Sequence, residues 1–122
     1  MRELTITTNA DWKTALREAG KRAEKGLTSD AYQGETLNFE TPGAFFSQLT
    51  GLRWNLINEL LGAGKIGVRE LARRLNRDVK RVHVDAAALI ELGLIEKDER
   101  GALSCPFENI HVDMIMSAPK AA

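Results

Sequence analysis

Apolar residues recur at spacings of three and four along residues 68–92, which is the pattern of two consecutive amphipathic helices. The apolar face of the first predicted helix comprises Val68, Leu71, Ala72 and Leu75. The apolar face of the second comprises Val79, Val82, Ala86, Leu89 and Ile90. Between them, Asn76 tolerates the left-handed backbone that ends a helix, and Asp78 is a good N-cap for the next one. The pattern predicts a helix-turn-helix.

A further helix and a hairpin are predicted on either side of this pair. Thr50 is the expected cap of the preceding helix, whose apolar face comprises Leu52, Leu56, Ile57, Leu60 and Leu61. After Gly93, residues 94–105 have the pattern of two short β-arms, with Gly101 at the tip of the turn. A helix, a helix-turn-helix and a hairpin in this order predict a winged helix-turn-helix domain over residues 50–106.

Residues 1–49 predict an N-terminal arm of strand, helix and strand. Alternation of apolar and polar residues predicts strands at Leu4–Thr8 and Glu35–Glu40. An alanine-rich apolar stripe predicts a helix between Asn9 and Gly26. Because a winged helix does not require these apolar residues, we expect the arm to serve dimerisation or partner binding.

Two more segments complete the expected fold. Thr41 and Pro42 have the pattern of a helix start, which is followed by an apolar cluster of Phe45, Phe46 and Leu49. Residues 107–122 predict a C-terminal strand, from Ile110 to Met116, and a flexible tail. Two pairings are open to this strand, one with Leu4–Thr8 and one with another subunit. The expected fold class is mainly α with small β, an α+β fold.

Charge is distributed unevenly along a chain that is neutral overall. The 122 residues include 17 basic and 17 acidic side chains, so DNA binding would depend on where the charge lies. The segment from Arg53 to Arg81 holds eight basic and three acidic residues, which leaves +5. Lys80 and Arg81 stand in the first turn of a predicted helix, where a cation opposes the helix dipole by about 0.3 to 1 kcal/mol. A bound polyanion would offset this cost.

These residues define a candidate DNA-binding surface on the second helix of the pair. With Val79, Val82 and Ala86 turned inward, Lys80 and Arg81 are expected to contact guanine acceptors and Val84 a thymine methyl group. The residues expected to contact phosphates are Arg69, Arg73, Arg74 and Arg77. For Arg73 and Arg74 a solvated helix face is the alternative, and for His83 a packed or edge position is favoured over base contact.

The hairpin is expected to contribute little to this surface. Asp98 and Glu99 at its tip would repel phosphates, which leaves Arg100 as the candidate contact. One monomer presents a single short helix, and specific binding usually needs two half-sites about one DNA turn apart. We therefore expect a homodimer on double-stranded DNA, assembled through the N-terminal arm and the last strand.

The run VRELARRLNRDVKRVHVDAAALIELGLIEKDERG resembles the winged helix-turn-helix of the MarR- and ArsR-like prokaryotic regulators. The continuation CPFENIHVDM resembles the end of a family of small DNA-binding proteins that are often encoded beside a toxin gene. The resemblance extends from Thr50 to about Met116 and implies a sequence-specific transcriptional regulator, acting as a repressor. The alternative that it implies is an antitoxin, which would bind its toxin through the N-terminal arm and regulate its own operon. Arg77 departs from the family pattern, in which an apolar residue is common, and so moves the expected core anchor to Val79.

Other classes of protein are less compatible with the sequence. A single cysteine and two histidines predict no internal disulfide, no four-ligand metal site and no cofactor. No apolar run approaches membrane-spanning length and no signal peptide is evident, so a cytoplasmic protein with no membrane partner is expected. The candidates for nucleophile and base chemistry match no known triad or phosphate loop, so an enzyme is not expected; they are His83, Asp85, Cys105 and His111.

Overall fold

The computed structural model describes residues 2–9, 34–116 and 118, and this part of the chain is a mixed α+β fold. Its helices are α1 (Pro42–Gln48), α2 (Gly51–Leu60), α3 (Val68–Leu75) and α4 (Val79–Leu92). Its strands are β1 (Glu3–Thr8), β2 (Glu35–Phe39), β3 (Glu96–Lys97), β4 (Leu103–Ser104) and β5 (Asn109–Asp113). The helix predicted between Asn9 and Gly26 lies outside the described residues. The expected α+β class is confirmed.

The chain divides into two compact units. The helical unit comprises Met1–Arg2 and Phe46–Asn109, and the sheet unit comprises Glu3–Phe45 and Ile110–Ala122. In the sheet unit the strand order is β2-β1-β5, and β1 pairs with β2 in parallel. Of the two pairings open to the last strand, the one with the first strand is therefore confirmed.

Apolar side chains of alternating strand residues form the core of the sheet unit. Leu4 and Ile6 of β1 are 5% and 0% exposed, and Phe39 at the end of β2 is 7% exposed. The ring of Phe39 meets that of Phe45 edge to face, with centroids 5.6 Å apart. The side chain of Asn38 accepts a hydrogen bond from the Thr7 hydroxyl at 2.8 Å. The packing thus fixes the register in which Leu4 lies opposite Glu35 and Thr8 opposite Phe39.

The core of the helical unit is built from α2, α3, α4 and the segment that follows them. The side chains that are at most 2% exposed in these elements are Leu56, Ile57, Leu60, Leu71, Ala72, Val82, Ala86, Leu89, Leu94, Ile95 and Leu103. Among the described residues no polar or charged residue falls in the buried class. A core of this composition depends on dispersion and on removal of apolar area from water, so each of these residues contributes through packing alone.

Three side chains that the periodicity placed in apolar faces or clusters are exposed, and these predictions were wrong. Phe46 is 61% exposed, Leu52 is 52% and Val79 is 37%. At about 100° per residue, Val79 stands roughly 60° around α4 from the fully buried Val82, at the margin of the buried stripe. On α2 the same geometry places Arg53, not Leu52, on the side of the buried residues.

The helix ends follow the local signals in the sequence. Asn76 adopts φ 52° and ψ 49° and closes α3, and Gly93 with φ 84° closes α4. The Asp78 carboxylate accepts a hydrogen bond from the Arg81 backbone N–H at 3.4 Å, and the Thr50 hydroxyl accepts one from that of Arg53. These contacts satisfy donors that a helix start leaves unpaired, and they confirm the predicted turn and caps.

The predicted hairpin is present, and a third segment joins it. β3 pairs with β4 in antiparallel register, with Glu96 opposite Ser104. The backbone of Ile66, in the link between α2 and α3, exchanges two hydrogen bonds of 2.8 Å with Leu103. This bridge ties the start of α3 to the hairpin, so both elements are held beside α4.

Candidate nucleic-acid interface

One carboxylate holds two guanidinium groups where α2, the turn after α3 and α4 meet. Arg53 Nε lies 3.1 Å from Asp85 Oδ1, and Arg77 Nη2 lies 2.8 Å from Asp85 Oδ2. The three side chains are only 15 to 17% exposed. Arg53 also donates from Nη1 to the Gln48 carbonyl at 2.8 Å. This set of contacts, the Arg53–Asp85–Arg77 network, fixes the start of α4 against α2.

The network corrects the prediction for Arg77, which the sequence placed outward as a phosphate contact. Its side chain is 15% exposed, and its Nη1 atom is buried without a hydrogen-bond partner among the described residues. A guanidinium in this position is already engaged by Asp85 and largely shielded from solvent. Arg77 is therefore a structural residue that holds α4 in place.

Three other cations are paired on the surface of the helical unit. Arg73 and Arg74 share the carboxylate of Glu70, which the Arg74 Nε approaches to 3.1 Å. The hydrogen bond from Arg73, with that from Arg74, lowers the pKa of Glu70 to about 2. Lys65 Nζ lies 3.2 Å from an oxygen of Asp98. The side chains of Arg73 and Arg74 are 72% and 40% exposed, so both are accessible to solvent. Each is already paired with Glu70, so a contact with DNA would have to replace or share that ion pair.

Three cations of the same segment form no ion pair within the described residues: Arg69, Lys80 and Arg81. All three are exposed. α4 has no acidic residue in its first turn, and the N-cap Asp78 is the acidic group next to Lys80 and Arg81 at this end of the helix. A bound polyanion would find both cationic side chains available.

Two more cations, Lys97 and Arg100 of the hairpin, lie across a cleft from α4. A cleft of about 570 Å³ separates the start of α3 and the exposed side of α4 from the hairpin, and its lining includes Arg69, Val79, His83, Lys97 and Arg100. Within the described part of the chain, Lys97 and Arg100 form no ion pair. His83 is exposed in this cleft, so of the two positions predicted for it, packed or at the edge of the core stripe, the packed one was wrong.

Asp98 does not act on this cleft as a free negative charge. Its carboxylate accepts hydrogen bonds from the backbone N–H groups of Ala102 at 2.8 Å and Arg100 at 2.9 Å, and it pairs with Lys65. The bond from Ala102, with those from Lys65 and Arg100, lowers the pKa of Asp98. The repulsion that the sequence predicted for the hairpin tip is thus reduced. Nothing in the sequence indicated that Lys97 belongs to the cationic surface.

The outward side of α4 also presents apolar groups. Val84 is 64% exposed, and Val84, Lys80 and Arg81 line a second cleft, of about 450 Å³, that borders Leu52 at the start of α2. The exposed side of α4 therefore alternates methyl groups with donors, the two kinds of contact that base edges in a major groove accept.

Cys105, one of the candidates for chemistry, lies in a half-buried position after the hairpin. Burial raises the pKa of the Cys105 thiol, whose Sγ lies 3.6 Å from the Leu94 carbonyl. A reactive cysteine requires the opposite shift. Among the described residues, no cluster of three or more His, Cys, Asp or Glu is placed to hold a metal ion. No helix of the described part is both long and apolar enough to cross a membrane.

The fold and this surface define an α+β protein whose helical unit exposes unpaired cations around α4. A model of the HVO_A0114 family matches residues 48–112, which are 65 of the 122 residues. The chain therefore belongs to the HVO_A0114 family. The match includes α2, α3, α4 and the hairpin. No curated protein and no solved structure matches the chain.

Proposed function

We propose that the helical unit is a winged helix-turn-helix domain of the MarR- and ArsR-like type. Three features support this proposal: α2 precedes the α3–α4 pair, a left-handed Asn76 joins that pair, and the β3–β4 hairpin follows it directly. The bridge between Ile66 and Leu103 adds the third short extended segment of a wing. In this assignment α4 is the recognition helix and β3–β4 is the wing.

The protein is a sequence-specific DNA-binding transcriptional regulator, and the exposed side of α4 enters the major groove of double-stranded DNA. The observation that carries this proposal is the position of the unpaired cations. Lys80 and Arg81 occupy the first turn of α4, while Arg69 of α3 and Lys97 and Arg100 of the hairpin lie across the cleft from it.

The contacts are divided between bases and phosphates. Lys80 and Arg81 approach guanine acceptors, and Val84 approaches a thymine methyl group. Arg69, Lys97 and Arg100 contact phosphates on the flanking backbone. The wing thus has a larger part than the sequence indicated, because Lys97 joins Arg100 and because Lys65 compensates the charge of Asp98.

The protein acts as a repressor in the form of a homodimer. One α4 covers few base pairs, and two copies on half-sites about one DNA turn apart supply the affinity and specificity of an operator. Repression follows when the dimer occupies a site that overlaps a promoter.

Selection of bound sequences from random duplexes tests this function directly. We expect a two-fold symmetric consensus, which is then used as a probe in electrophoretic retention assays over a range of salt. Lys80→Ala with Arg81→Ala should abolish discrimination between the consensus and a scrambled duplex. Arg73→Ala with Arg74→Ala removes the same charge from ion-paired positions on α3 and should weaken both probes alike.

The salt dependence provides a second, independent measurement. The logarithm of the association constant should fall linearly with the logarithm of salt concentration, with a slope of about −0.9 per phosphate contacted. A selection that enriches no sequence, or a Lys80→Ala and Arg81→Ala variant that binds the consensus as the unaltered protein does, would overturn the proposal.

A further inference from the structure

Strand β5 forms an open edge of the sheet unit. In the order β2-β1-β5 it has a neighbouring strand on one side only, counting the strands of the described part. Four of its five residues are exposed, whereas those of β2 at the other edge are half-buried or buried. An edge strand presents unpaired backbone N–H and C=O groups, which favour addition of another strand.

The apolar residues that the sheet unit exposes are concentrated at this edge. Within the described residues of that unit, the exposed large hydrophobic side chains are Val112 at 40%, Ile115 at 73% and Met116 at 83%. Natural edge strands usually carry lysine, proline or a bulge, which discourage pairing. The sequence of β5, NIHVD, contains neither lysine nor proline.

Ile110–Met114, which comprises the last four residues of β5 and the residue after it, is complementary to itself when two copies run antiparallel. The five residues from Ile110 to Met114 read IHVDM, with apolar residues at the ends and centre, a histidine second and an aspartate fourth. If Val112 lies on the two-fold axis, Val112 faces its own copy, Ile110 faces Met114, and His111 faces Asp113. Directly opposed residues of an antiparallel pair project from the same face of the sheet, so each imidazole meets a carboxylate.

Two observations show that these side chains are available. His111 and Asp113 are exposed and form no ion pair within the described part of the chain. They lie on the face of β5 opposite Ile110 and Val112, since side chains alternate along a strand. We propose that β5 is the dimerisation strand, which pairs antiparallel with β5 of a second copy and joins the two three-stranded sheets into one of six strands.

The pairing specifies both partner and direction. In a parallel, in-register pair, His111 would face His111 and Asp113 would face Asp113, and like groups directly opposed are unfavourable. The antiparallel arrangement gives two imidazole–carboxylate contacts and three apolar ones. The last four residues of β5 belong to the sheet unit, and the proposed pairing uses no residue of α4. It supplies the dimer used in the proposed function but does not depend on DNA.

Charge-swap variants test the register, with mass measured by light scattering after size-exclusion chromatography and by sedimentation equilibrium. The unaltered protein should have the mass of two chains of 13.5 kDa. In His111→Asp, residues 111 and 113 are both aspartates, so the dimer would contain two pairs of directly opposed aspartates. In Asp113→His both residues are histidines, so it would contain two pairs of directly opposed histidines. His111→Asp should weaken self-association roughly 10- to 100-fold, because two favourable cross-strand pairs become pairs of opposed carboxylates, and Asp113→His should weaken it less, because opposed imidazoles lose the favourable pair without an equal repulsion.

Recombination of the two variants provides the decisive result. An equimolar mixture of His111→Asp and Asp113→His should form a heterodimer, and the double variant that exchanges the two residues should dimerise as the unaltered protein does. Asn58→Asp adds the same acid at an exposed site on α2 and should leave the mass unchanged.

Circular dichroism establishes that each variant is folded before its mass is interpreted. A monomeric unaltered protein, a His111→Asp variant that dimerises normally, or a mixture that remains monomeric would each overturn the proposal. Retention of DNA is measured on the same samples, so loss of the dimer with DNA binding intact would remove this interface and leave the DNA-binding assignment standing. A dimer that binds no DNA would overturn the DNA-binding assignment and leave this interface standing.

Discussion

Replacement of Asp85 by asparagine tests whether the Arg53–Asp85–Arg77 network fixes α4. The substitution keeps the size of the side chain and removes its charge. An amide offers one accepting oxygen and one donating nitrogen, so it can accept from only one of the two guanidinium groups. The other, Arg53 or Arg77, would then face a donor in a position that is about 15 to 17% exposed.

The expected loss of stability follows from this burial. Removal of one partner from a fully buried ion pair typically costs about 3 to 5 kcal/mol, because the remaining charge is left without compensation. Here the residual exposure allows some solvation, and Arg53 keeps its hydrogen bond to the Gln48 carbonyl. We therefore expect Asp85→Asn to lower the free energy of unfolding by about 2 to 4 kcal/mol.

Glu70→Gln is the matched control, because it makes the same chemical change in a carboxylate that also holds two arginines. Its partners are 72% and 40% exposed, and water replaces the lost contacts there. Exposed ion pairs contribute little to stability, so this variant should unfold close to the unaltered protein. The contrast isolates burial, since the number of ion pairs is the same in the two cases.

Equilibrium denaturation in urea, followed by far-ultraviolet circular dichroism, gives the free energies by linear extrapolation. Arg77→Ala should cost less in the Asp85→Asn background than alone, since coupled residues are not additive. If Asp85→Asn and Glu70→Gln lie within about 0.5 kcal/mol of each other, the network does not stabilise the helical unit in the way described.

Two further predictions concern single positions on α4 and α3. Val82→Ala should lower the free energy of unfolding by about 2 kcal/mol, because it removes buried methyl groups. Val79→Ala should lower it by less than half of that, since Val79 is 37% exposed. Equal losses in urea denaturation would contradict the position of α4. Hydrogen bonds from Arg73 and Arg74 lower the pKa of Glu70 from 4.5 to about 2, so the folded protein takes up this proton less readily than the unfolded chain. The stabilisation is small because both arginines are exposed. It is present above pH 4.5 and is lost as the pH falls toward 2, so the small difference in Tm between the unaltered protein and Glu70→Gln at neutral pH should disappear over that interval. A difference that stays constant there would show that the pairing does not contribute in this way.

The turns and caps could be predicted from the sequence because their causes are local. Asn76, Asp78 and Gly93 act on backbone atoms within five residues of themselves, and each has the predicted conformation or contact. The hairpin is of the same kind, since Asp98 organises a turn that closes within four residues. Signals of this range do not depend on where the rest of the chain lies.

The orientation of α2 and α4 could not be predicted in the same way. Periodicity fixes which residues share a face, but near a helix end the boundary of the buried face depends on the neighbouring helix. Arg53 and Asp85 are 32 positions apart, and their contact turns Arg53 inward and leaves Leu52 exposed. A hydrophobicity pattern favours the leucine for the buried position, because it contains no information about a distant carboxylate.

The cationic surface shows the same limit more clearly. Eight basic residues between Arg53 and Arg81 gave the predicted patch, but the structure pairs five of them within its described residues. Two of the carboxylates involved, Asp85 and Asp98, lie outside that segment, so they were not counted against it. The unpaired cations that remain come from α3 and α4, and the hairpin adds Lys97 and Arg100 from 16 or more positions further along the chain. A count within one segment therefore overestimates the free charge of that segment and omits the part of the surface that folding brings to it.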